Sequence, residues 1–482
     1  MKENSPNGIS QSSVSITVSL VVAIAFFMQN LDTTAVNTAI PAMARSFKVN
    51  VVELSTGVTS YLIALAIFIP VSGWIADRYG TRKVFCSAIV FFIIASILCG
   101  SSQNLFQFVL CRILQGAAGA MMTPVGRLAV LKATPKENLV TAIAYITWPG
   151  LVAPIIGPLV GGCLATYWTW HWIFFLNVPL GVVCVLLAWH FIPPETGADA
   201  VKPSFHFGEF MLNATALACC MYGLDVLSHE TAPLWLSAVV LAVSAILIFF
   251  NRKYSQHLSR PLIDYSILKI HTYRITIFAG SVSRMVINVA PFLVPLMFQE
   301  GFGLSPFQSG MLFLATMAGN LFMKPMTVWI MRHFNFRSVL VINGFLVAVF
   351  TLLTAFLLPT TPVWLILGVM FFSGMFRSMQ FSAITTLAFA DIPQEKMTPA
   401  NTFYSTIQQM SAGMGIAMGA VLLRLSNYVN KSGEHYSVAD FRIAFLLVAV
   451  VGFLSLLGFL KLEPQDGDAV RVKKRNRNEK PN

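Results

Sequence analysis

The chain has 482 residues, of which 56% are hydrophobic and only 11% are charged. No soluble domain needs so large an apolar share, so the composition predicts a polytopic membrane protein and excludes a soluble globular domain. The formal net charge is +12, but the bases lie in loops between apolar runs and in the C-terminal tail. This placement favours orientation in a bilayer over nucleic-acid binding.

Fourteen apolar runs are long enough to cross a bilayer core of ~30 Å, which needs about 20 helical residues. We therefore expect an all-α fold with fourteen membrane-spanning helices. Their approximate positions are 15–40, 51–73, 84–102, 105–131, 140–163, 172–192, 208–228, 233–250, 274–300, 305–331, 337–358, 362–390, 400–424 and 440–461.

Basic residues mark alternate loops between these spans. Lys and Arg are absent from the loops 100–106, 165–171, 229–232 and 359–363. Most of the other loops are basic, and the main exceptions to the alternation are Arg45, Lys48 and Lys431. Because short basic loops are retained in the cytoplasm, the pattern predicts that both termini are cytoplasmic.

The first span contains an acid within the stretch Gln29-Asn-Leu-Asp32-Thr-Thr-Ala-Val-Asn37-Thr-Ala-Ile-Pro41. Gln29 and Asp32 are three residues apart, so they share one helix face. An ionisable group in the membrane is costly, so Asp32 is expected to face a cavity or a partner. The alternative is a hydrated acid near the outer interface.

The loop after the second span has the sequence Gly73-Trp-Ile-Ala-Asp-Arg-Tyr-Gly-Thr-Arg-Lys83. Gly80 accepts a positive φ at no steric cost, so the two flanking helices can be joined tightly. The bases predict a cytoplasmic loop. An ordinary basic loop, in which Asp77 is neutralised by Arg78 or Arg82, is the alternative interpretation.

Two further patterns lie in the fourth and fifth spans. Arg112 and Gln115 are one helical turn apart, and a cation at that depth needs a partner; a purely structural salt bridge is the alternative to a functional role. Gly157 and Gly161 form a GxxxG step for close helix approach, and two prolines nearby remove backbone donors. The full glycine and proline pattern comprises Gly150, Pro154, Gly157, Pro158, Gly161 and Gly162.

The second half of the chain is less distinctive. Arg284, Lys324 and Arg377 lie inside apolar stretches, and they are expected to face the interior because lipid would reject them. Asp225 also lies within a span, and the sequence does not identify its partner. A weak repeat aligns 333–337 with 78–82, so that Asn335 replaces Gly80 at an expected left-handed turn.

The stretches around Asp32, Asp77, Arg112 and Gly157 resemble four motifs of the major facilitator superfamily. They are similar to its drug:proton antiporter branch with fourteen helices, and the chain looks most like the MdtD-type multidrug transporters. The resemblance implies two six-helix bundles around a central cavity, with two extra helices between them. The expected divisions are a cytoplasmic N-terminus at 1–14, bundles at 15–192 and 274–461, a linker with the extra helices at 193–273, and a basic cytoplasmic tail at 462–482.

The resemblance also implies roles for individual residues. Asp32 and Arg112 are expected to take part in proton coupling. Asp77 is expected to latch the bundles together by reaching the start of the thirteenth span, where Thr398 is the expected N-cap. The expected latch residues are Gly73, Asp77, Arg78, Gly80 and Arg82. The expected polar lining of the substrate cavity is Gln29, Asn37, Gln115, Arg284, Lys324 and Arg377.

The expected function is proton-coupled export of amphipathic or cationic small molecules across a bacterial inner membrane. An enzyme is not expected, because the sequence shows no nucleotide loop, metal-ligand set or nucleophile elbow. A small-molecule substrate, protons and the bilayer are the expected partners of a monomer, without cofactor, metal or nucleic acid. Two alternatives stay open: proton-coupled uptake of a specific metabolite, and a membrane sensor that has lost transport.

Overall fold

The computed structural model describes residues 11–49, 51–194, 204–228, 233–258, 261–430 and 436–470. Within these ranges the chain forms fifteen α-helices and no β-strand. The helices are α1 Gln11–Phe47, α2 Val51–Tyr79, α3 Thr81–Gly100, α4 Leu105–Ala133, α5 Leu139–Tyr167, α6 His171–Phe175, α7 Asn177–Phe191, α8 Phe207–Ser228, α9 Leu234–Ser255, α10 His271–Leu296, α11 Pro306–His333, α12 Phe336–Ala355, α13 Val363–Ala390, α14 Met397–Asn430 and α15 Val438–Phe459.

The helices have the length and composition of membrane spans. The described residues include thirteen spans that are long and apolar enough to cross a bilayer, and α6 with α7 forms one of them, His171–Phe191. The remaining expected span, at 140–163, corresponds to α5, whose 29 residues contain no charged side chain. The predicted all-α polytopic membrane protein is therefore confirmed.

Some helices are longer than the apolar runs that predict them. The thirteenth span is expected at 400–424, whereas α14 has 34 residues and would measure about 51 Å along its axis. The first span is expected at 15–40, whereas α1 covers Gln11–Phe47. Hydropathy marks the residues that tolerate hydrocarbon, but helical hydrogen bonding continues into the polar interface on either side.

Helix packing divides the spans into two bundles. Helices α1–α7 pack against one another to form the first bundle, and α10–α15 form the second. Helices α8 and α9 pack as a pair, and α8 contacts both α2 and α14. The bundles meet where α2 and α4 contact α14 and where α5 contacts α11 and α13.

Gly80 is the one residue between α2 and α3, and its φ of 88° confirms the predicted tight junction. The expected left-handed turn at Asn335 is wrong, because that residue has a φ of −74°. Instead, Asn335 Oδ1 accepts a hydrogen bond from the backbone N–H of Ser338 at 2.8 Å and caps α12. Two residues separate α11 from α12, so this junction does not need a positive φ.

Helices α1 and α5 approach closely at two glycines. A Cβ atom on Gly161 would lie 2.5 Å from the carbonyl oxygen of Ala35 and 2.9 Å from its Cα. A Cβ atom on Gly157 would overlap the hydroxyl of Thr34. One on Gly162 would meet nothing within 4 Å. The GxxxG step therefore sets the distance between these helices, whereas Gly162 is not needed for this contact.

The substitution Gly161→Ala is expected to lower the melting temperature of the purified protein, because the backbone of Ala35 blocks the added methyl group. Overpacking of this kind costs about 1–3 kcal/mol. Gly162→Ala, one residue further along α5, is the matched control and is expected to melt like the wild type. Thermal unfolding in detergent provides the measurement, and equal melting temperatures for the two variants would contradict the packing described.

Candidate functional site

The first bundle encloses an ion pair. Asp32 on α1 and Arg112 on α4 have fully buried side chains, and Arg112 Nη1 donates to Asp32 Oδ2 at 2.9 Å. Either charge alone would be expensive to bury at this depth, whereas the pair compensates both. The two residues for which the family resemblance implies a role in proton coupling are therefore direct partners.

The second carboxylate oxygen of Asp32 is held by side-chain amides. Asp32 Oδ1 accepts hydrogen bonds from Gln115 Nε2 at 3.0 Å and from Asn177 Nδ2 at 2.7 Å. Both amides also donate to Ser96 Oγ, at 2.9 and 3.2 Å respectively. We call Asp32, Ser96, Arg112, Gln115 and Asn177 the Asp32 network. It connects four helices of the first bundle: α1, α3, α4 and α7.

Arg112 is held on its other side by an aromatic ring. Its guanidinium carbon lies 4.4 Å from the ring centroid of Tyr61, a cation–π contact. Nη1 also donates to Gln115 Oε1 at 2.5 Å, whereas Nε and Nη2 have no acceptor among the described residues. In this part of the chain, the Asp32 carboxylate is thus the one charged group paired with Arg112.

This arrangement can couple a proton to helix packing. Proton binding to Asp32 would remove the charge that compensates Arg112, and breaking a buried pair typically costs about 3–5 kcal/mol. The network would then have to rearrange, and its members lie on four different helices. An acid in this setting can convert a change of protonation into a change of packing.

The network differs in part from the sequence-based expectation. Gln115 is expected to line a cavity, whereas its side chain is fully buried and bonded to Asp32. Ser96 and Asn177 are absent from the predicted site. A polar residue inside an apolar span is the signal that could identify them, but a lone serine or asparagine is too common a feature of spans to single out.

Gln29, another polar residue predicted to line the cavity, lies between α1 and α4. Gln29 is almost fully buried, and its Oε1 accepts a hydrogen bond from Thr123 Oγ1 of α4 at 2.6 Å. The side chains of Asn37, Pro154 and Pro158 lie outside the described part of the structure. Gly150 makes ordinary contact with α1, since a Cβ atom there would lie 3.6 Å from Asn30 Nδ2.

Two predicted cations of the second bundle, Lys324 and Arg377, are hydrogen bonded to hydroxyl groups rather than to acids. Lys324 on α11 donates to Thr147 Oγ1 at 3.0 Å and to Ser382 Oγ at 2.8 Å. Arg377 Nη2 donates to Thr351 Oγ1 of α12, in its own bundle, at 3.4 Å. Neither cation forms an ion pair within the described residues. Lys324 therefore connects the two bundles, while the hydrogen bond of Arg377 stays within one.

Asp77 contacts the start of α14. Its Oδ1 accepts a hydrogen bond from Thr398 Oγ1 at 2.8 Å, and Lys132 Nζ lies 3.6 Å from the same oxygen. One turn earlier in α2, a Cβ atom on Gly73 would overlap the hydroxyl of Thr402. The acid thus bridges the two bundles where α2 ends and α14 begins. We call this end of the molecule the Asp77 end.

Thr398 does not cap α14, contrary to the sequence-based prediction. The helix begins at Met397, so Thr398 lies in its first turn. The Thr398 hydroxyl donates to the Asp77 carboxylate, so the contact between α2 and α14 is made through that side chain.

The two arginines of the α2–α3 junction pack on aromatic rings. The guanidinium carbon of Arg78 lies 5.5 Å from the ring centroid of Trp74 and 5.7 Å from that of Tyr79. That of Arg82 lies 4.6 Å from the ring centroid of Trp189 on α7. These cation–π contacts hold both bases against their own bundle.

Further hydrogen bonds join the bundles towards the Asp77 end. Arg127 of α4 donates to Ser405 Oγ at 3.2 Å and to Gln408 Oε1 at 3.0 Å, both on α14. Asn401 Nδ2 of α14 donates to the carbonyl oxygen of Pro124 at 2.8 Å. Because α4 ends and α14 begins at the Asp77 end, these contacts hold the bundles together there.

Two cavities lie away from the Asp32 network. The larger, about 640 Å³, is on the outer face of α2, α3 and α4 and is lined by exposed apolar residues such as Phe91 and Leu114. Such a surface suits lipid better than a central transport cavity. The smaller, about 330 Å³, lies beside Asp77 and Thr398.

Relatives of the chain match along most of its length. The sequence profile of the Major Facilitator Superfamily matches residues 22–416 and 278–481. The "Putative multidrug resistance protein MdtD" of Serratia proteamaculans (strain 568) is 35% identical over 453 residues, covering 92% of each chain. The protein of the same name from Pectobacterium atrosepticum is 33% identical over 447 residues, covering 92% of this chain and 95% of that one.

Two solved structures have a similar fold. The human organic anion transporter MFSD10 (TETRAN) aligns with a TM-score of 0.63 at 12% identity, covering 93% of this chain and 98% of that chain. The proton:xylose symporter XylE aligns with a TM-score of 0.63 at 15% identity, covering 96% and 100%. At these identities the likeness concerns the fold alone.

Asp32→Asn and Arg112→Met are each expected to destabilise the protein, by about 3–5 kcal/mol, because each leaves a buried charge without its partner. The double variant is expected to lose less unfolding free energy than the two single variants lose together, since it leaves no charge uncompensated. Unfolding of the purified variants in mixed detergent with increasing SDS gives the coupling energy.

A second cycle provides the matched control. Asp77 and Lys132 are partly exposed and their charged atoms are 3.6 Å apart, so their coupling is expected to be about 0–1 kcal/mol. A coupling energy between Asp32 and Arg112 as small as that of the control pair would show that the buried pair does not stabilise the bundle.

Proposed function

Because this chain belongs to the major facilitator superfamily, we propose that it exports amphipathic small molecules across a bacterial inner membrane in exchange for protons, by alternating access. Family membership makes the chain a multi-pass membrane transporter rather than an enzyme. The name that its bacterial relatives carry supports multidrug efflux as the class of transport.

The buried ion pair is the observation that supports proton coupling most strongly. Asp32 can take up one proton, and its only charged partner among the described residues is Arg112. Both side chains are fully buried, so a proton that reaches Asp32 changes the charge balance of the bundle interior. A carboxylate with this environment is suited to sensing a proton gradient, and Arg112 makes its ionisation state matter for packing.

The contacts at the Asp77 end support alternating access. The basic loops favour a cytoplasmic position for this end, because Arg78, Arg82 and Lys83 lie in the loop that follows Asp77. Hydrogen bonds from Thr398 and Arg127 close the gap between the bundles at the same end. In the proposed cycle these contacts correspond to the state that is closed towards the cytoplasm, and export requires this end to open for loading.

The cycle follows from these two features. A proton entering from outside binds Asp32, weakens its pairing with Arg112 and favours the state that is open to the cytoplasm. Loss of that proton to the cytoplasm and binding of the substrate then restore the pair and return the substrate outward. Each ligand shifts the equilibrium only by its difference in affinity for the two states.

Substrate-driven proton release from energised inverted vesicles tests this function. With ethidium and pyrenebutyrate as probes, vesicles containing the wild type are expected to lose their pH gradient when a transported probe is added. Asp32→Asn is expected to abolish this response, because it removes the titratable group. Asp225→Asn, an equivalent change on α8 outside the Asp32 network, is the matched control and is expected to retain it.

The outcome depends on comparing the two variants at equal expression. Near-normal proton release in Asp32→Asn would remove this acid from the coupling mechanism. Equal loss in both variants would point to general damage of the transporter rather than to a specific role of Asp32.

A further experiment tests the contact between Asp77 and α14. Asp77→Asn is expected to lower disulfide formation between cysteines placed at Ala76 and Thr402, because only the closed state has the hydrogen bond from Thr398. A hydrogen bond to a charged group contributes about 1.5–3 kcal/mol, enough for a shift of about tenfold in the closed population. The seven native cysteines are first replaced.

Two variants separate the hydrogen bond from the nearby charge. Thr398→Val removes the same hydrogen bond and is expected to reproduce the loss of crosslinking. Lys132→Gln removes the partly exposed ion pair but leaves the hydrogen bond from Thr398 in place, and is expected to have a small effect. Wild-type crosslinking in both Asp77→Asn and Thr398→Val would show that no latch exists at this position.

A further inference from the structure

A tyrosine at the junction of the bundles lies between two arginines. The ring centroid of Tyr404 on α14 is 4.6 Å from the guanidinium carbon of Arg284 on α10 and 5.1 Å from that of Arg127 on α4. Arg284 is fully buried and Arg127 nearly so. Two positive charges from different bundles therefore share one aromatic ring in the interior of the protein.

A third cation is hydrogen bonded one helical turn away from the contact between Tyr404 and α13. The hydroxyls of Tyr404 and Thr385 are hydrogen bonded at 2.7 Å. One turn before Thr385 on α13, Ser382 accepts a hydrogen bond from the buried Lys324. We call Arg127, Arg284 and Lys324 the cation cluster. Its members come from α4, α10 and α11.

The cation cluster has no counter-ion in the described part of the chain. No ion pair there involves any of its three members. Asp32, the acid at membrane depth in the first bundle, is already paired with Arg112. None of the three guanidinium nitrogens of Arg284 has a hydrogen-bond acceptor within the described residues. An arginine keeps its charge in proteins, so this side chain cannot become neutral to avoid the cost of burial.

Such a cluster is costly unless an anion binds to it. Unpaired charges at membrane depth are rare and usually mark a path or a binding site. A guanidinium presents several N–H groups in one plane, a geometry that matches carboxylate and phosphate oxygens. We propose that the cation cluster binds the oxyanion group, a carboxylate or a phosphate ester, of the molecule that this protein transports.

The contacts of the cluster also explain how an anion would reach it. Arg127 donates to Gln408 and Ser405 of the opposite bundle, and Lys324 donates to Thr147 of the opposite bundle. When the bundles separate at the Asp77 end, these donors lose their acceptors and face the opening. An anion arriving from that end then supplies both the negative charge and the hydrogen-bond acceptors.

Under the proposed function, on which this inference rests, the Asp77 end is cytoplasmic and the cluster is loaded from the cytoplasm. The charge of the cluster restricts the class of substrate that the site can bind. The sequence-based expectation includes cationic molecules, but a cluster of three cations without a counter-ion would repel them. The preferred substrates are amphipathic organic anions.

Binding of three matched probes tests the charge preference. The purified protein is placed in phosphatidylcholine nanodiscs and titrated with 1-pyrenebutyrate, its methyl ester or 1-pyrenebutylamine. Saturable energy transfer from tryptophan to pyrene reports binding. The wild type is expected to bind the carboxylate about tenfold more tightly than the ester or the amine. Equal affinity for the carboxylate and the ester, or a preference for the amine, would overturn the proposal.

Substitutions then test whether the cation cluster causes the preference for the carboxylate. Arg284→Met is expected to lower the affinity for the carboxylate to that for the ester, and Lys324→Gln to lower it partly. Arg284→Lys keeps a basic group but loses the planar guanidinium, and is expected to keep part of the preference, more than Arg284→Met does. Arg442→Met is the matched control, because it removes a partly buried cation on α15, outside the cluster and outside the predicted cavity lining. A carboxylate preference that survives in Arg284→Met, or is lost equally in Arg442→Met, would contradict the assignment.

Binding measurements with an added anionic lipid distinguish the two possible sources of the oxyanion, a lipid headgroup and a free organic anion. If the site is occupied by a lipid headgroup, adding phosphatidylglycerol to the nanodiscs weakens pyrenebutyrate binding to the wild type but not the residual binding to Arg284→Met. If the site takes free organic anions, phosphatidylglycerol has no such effect. The first result would overturn the assignment to the transported molecule, because a lipid headgroup would then be the ligand. The second result supports the assignment.

These measurements are independent of proton coupling. Selective binding of pyrenebutyrate without proton release from vesicles would leave the anion site intact and contradict the antiport function. Proton release driven by ethidium, with no carboxylate preference in the binding assay, would support antiport and overturn the anion site.

Discussion

Charge inside the membrane is the constraint on which the interior of this protein depends. Asp32 and Arg112 satisfy it by pairing at 2.9 Å, and two amides hold the carboxylate oxygen that the arginine leaves free. The pair is stable only while Asp32 stays ionised, because Arg112 has no second charged partner among the described residues. A single proton therefore changes the energy of a network that connects α1, α3, α4 and α7. Glycine contacts between α1 and α5 fix the position of α1 beside it.

The junction between the bundles obeys the same constraint in a different way. Arg127, Arg284 and Lys324 are buried without an acidic partner among the described residues, and they rely on the ring of Tyr404 and on hydroxyl and amide groups. Several of these groups belong to the opposite bundle, so the cations keep them only while the Asp77 end is closed. The first bundle thus has a compensated charge pair that a proton can disturb. The junction has an uncompensated positive charge that an anion can satisfy. Exchange of an anionic substrate for a proton would use both.

The sequence predicts those residues of the interior that can be recognised from their immediate sequence surroundings alone. Asp32, Arg112, Arg284 and Lys324 are visible because charged residues interrupt apolar runs, and Gly80 is visible because the chain must reverse there. Pairing is not visible in the same way, since Asp32 and Arg112 are 80 residues apart. Ser96 and Asn177 escape prediction because uncharged polar residues occur throughout membrane spans. Arg127 escapes because it lies near the end of its span, where bases are common. The predicted helix ends differ from the observed ones because helices such as α14 continue beyond their apolar runs.

The central claim is that the protonation of Asp32 controls the opening of the Asp77 end. Distances between spin labels at Tyr79 and Phe334, exposed residues near the ends of α2 and α11, measure that opening directly by electron double resonance. In a cysteine-free background carrying only these labels, acidification is expected to shift the wild type towards longer distances. Asp32→Asn is expected to show one distribution at every pH. A pH-dependent shift of the same size in Asp32→Asn would contradict the claim.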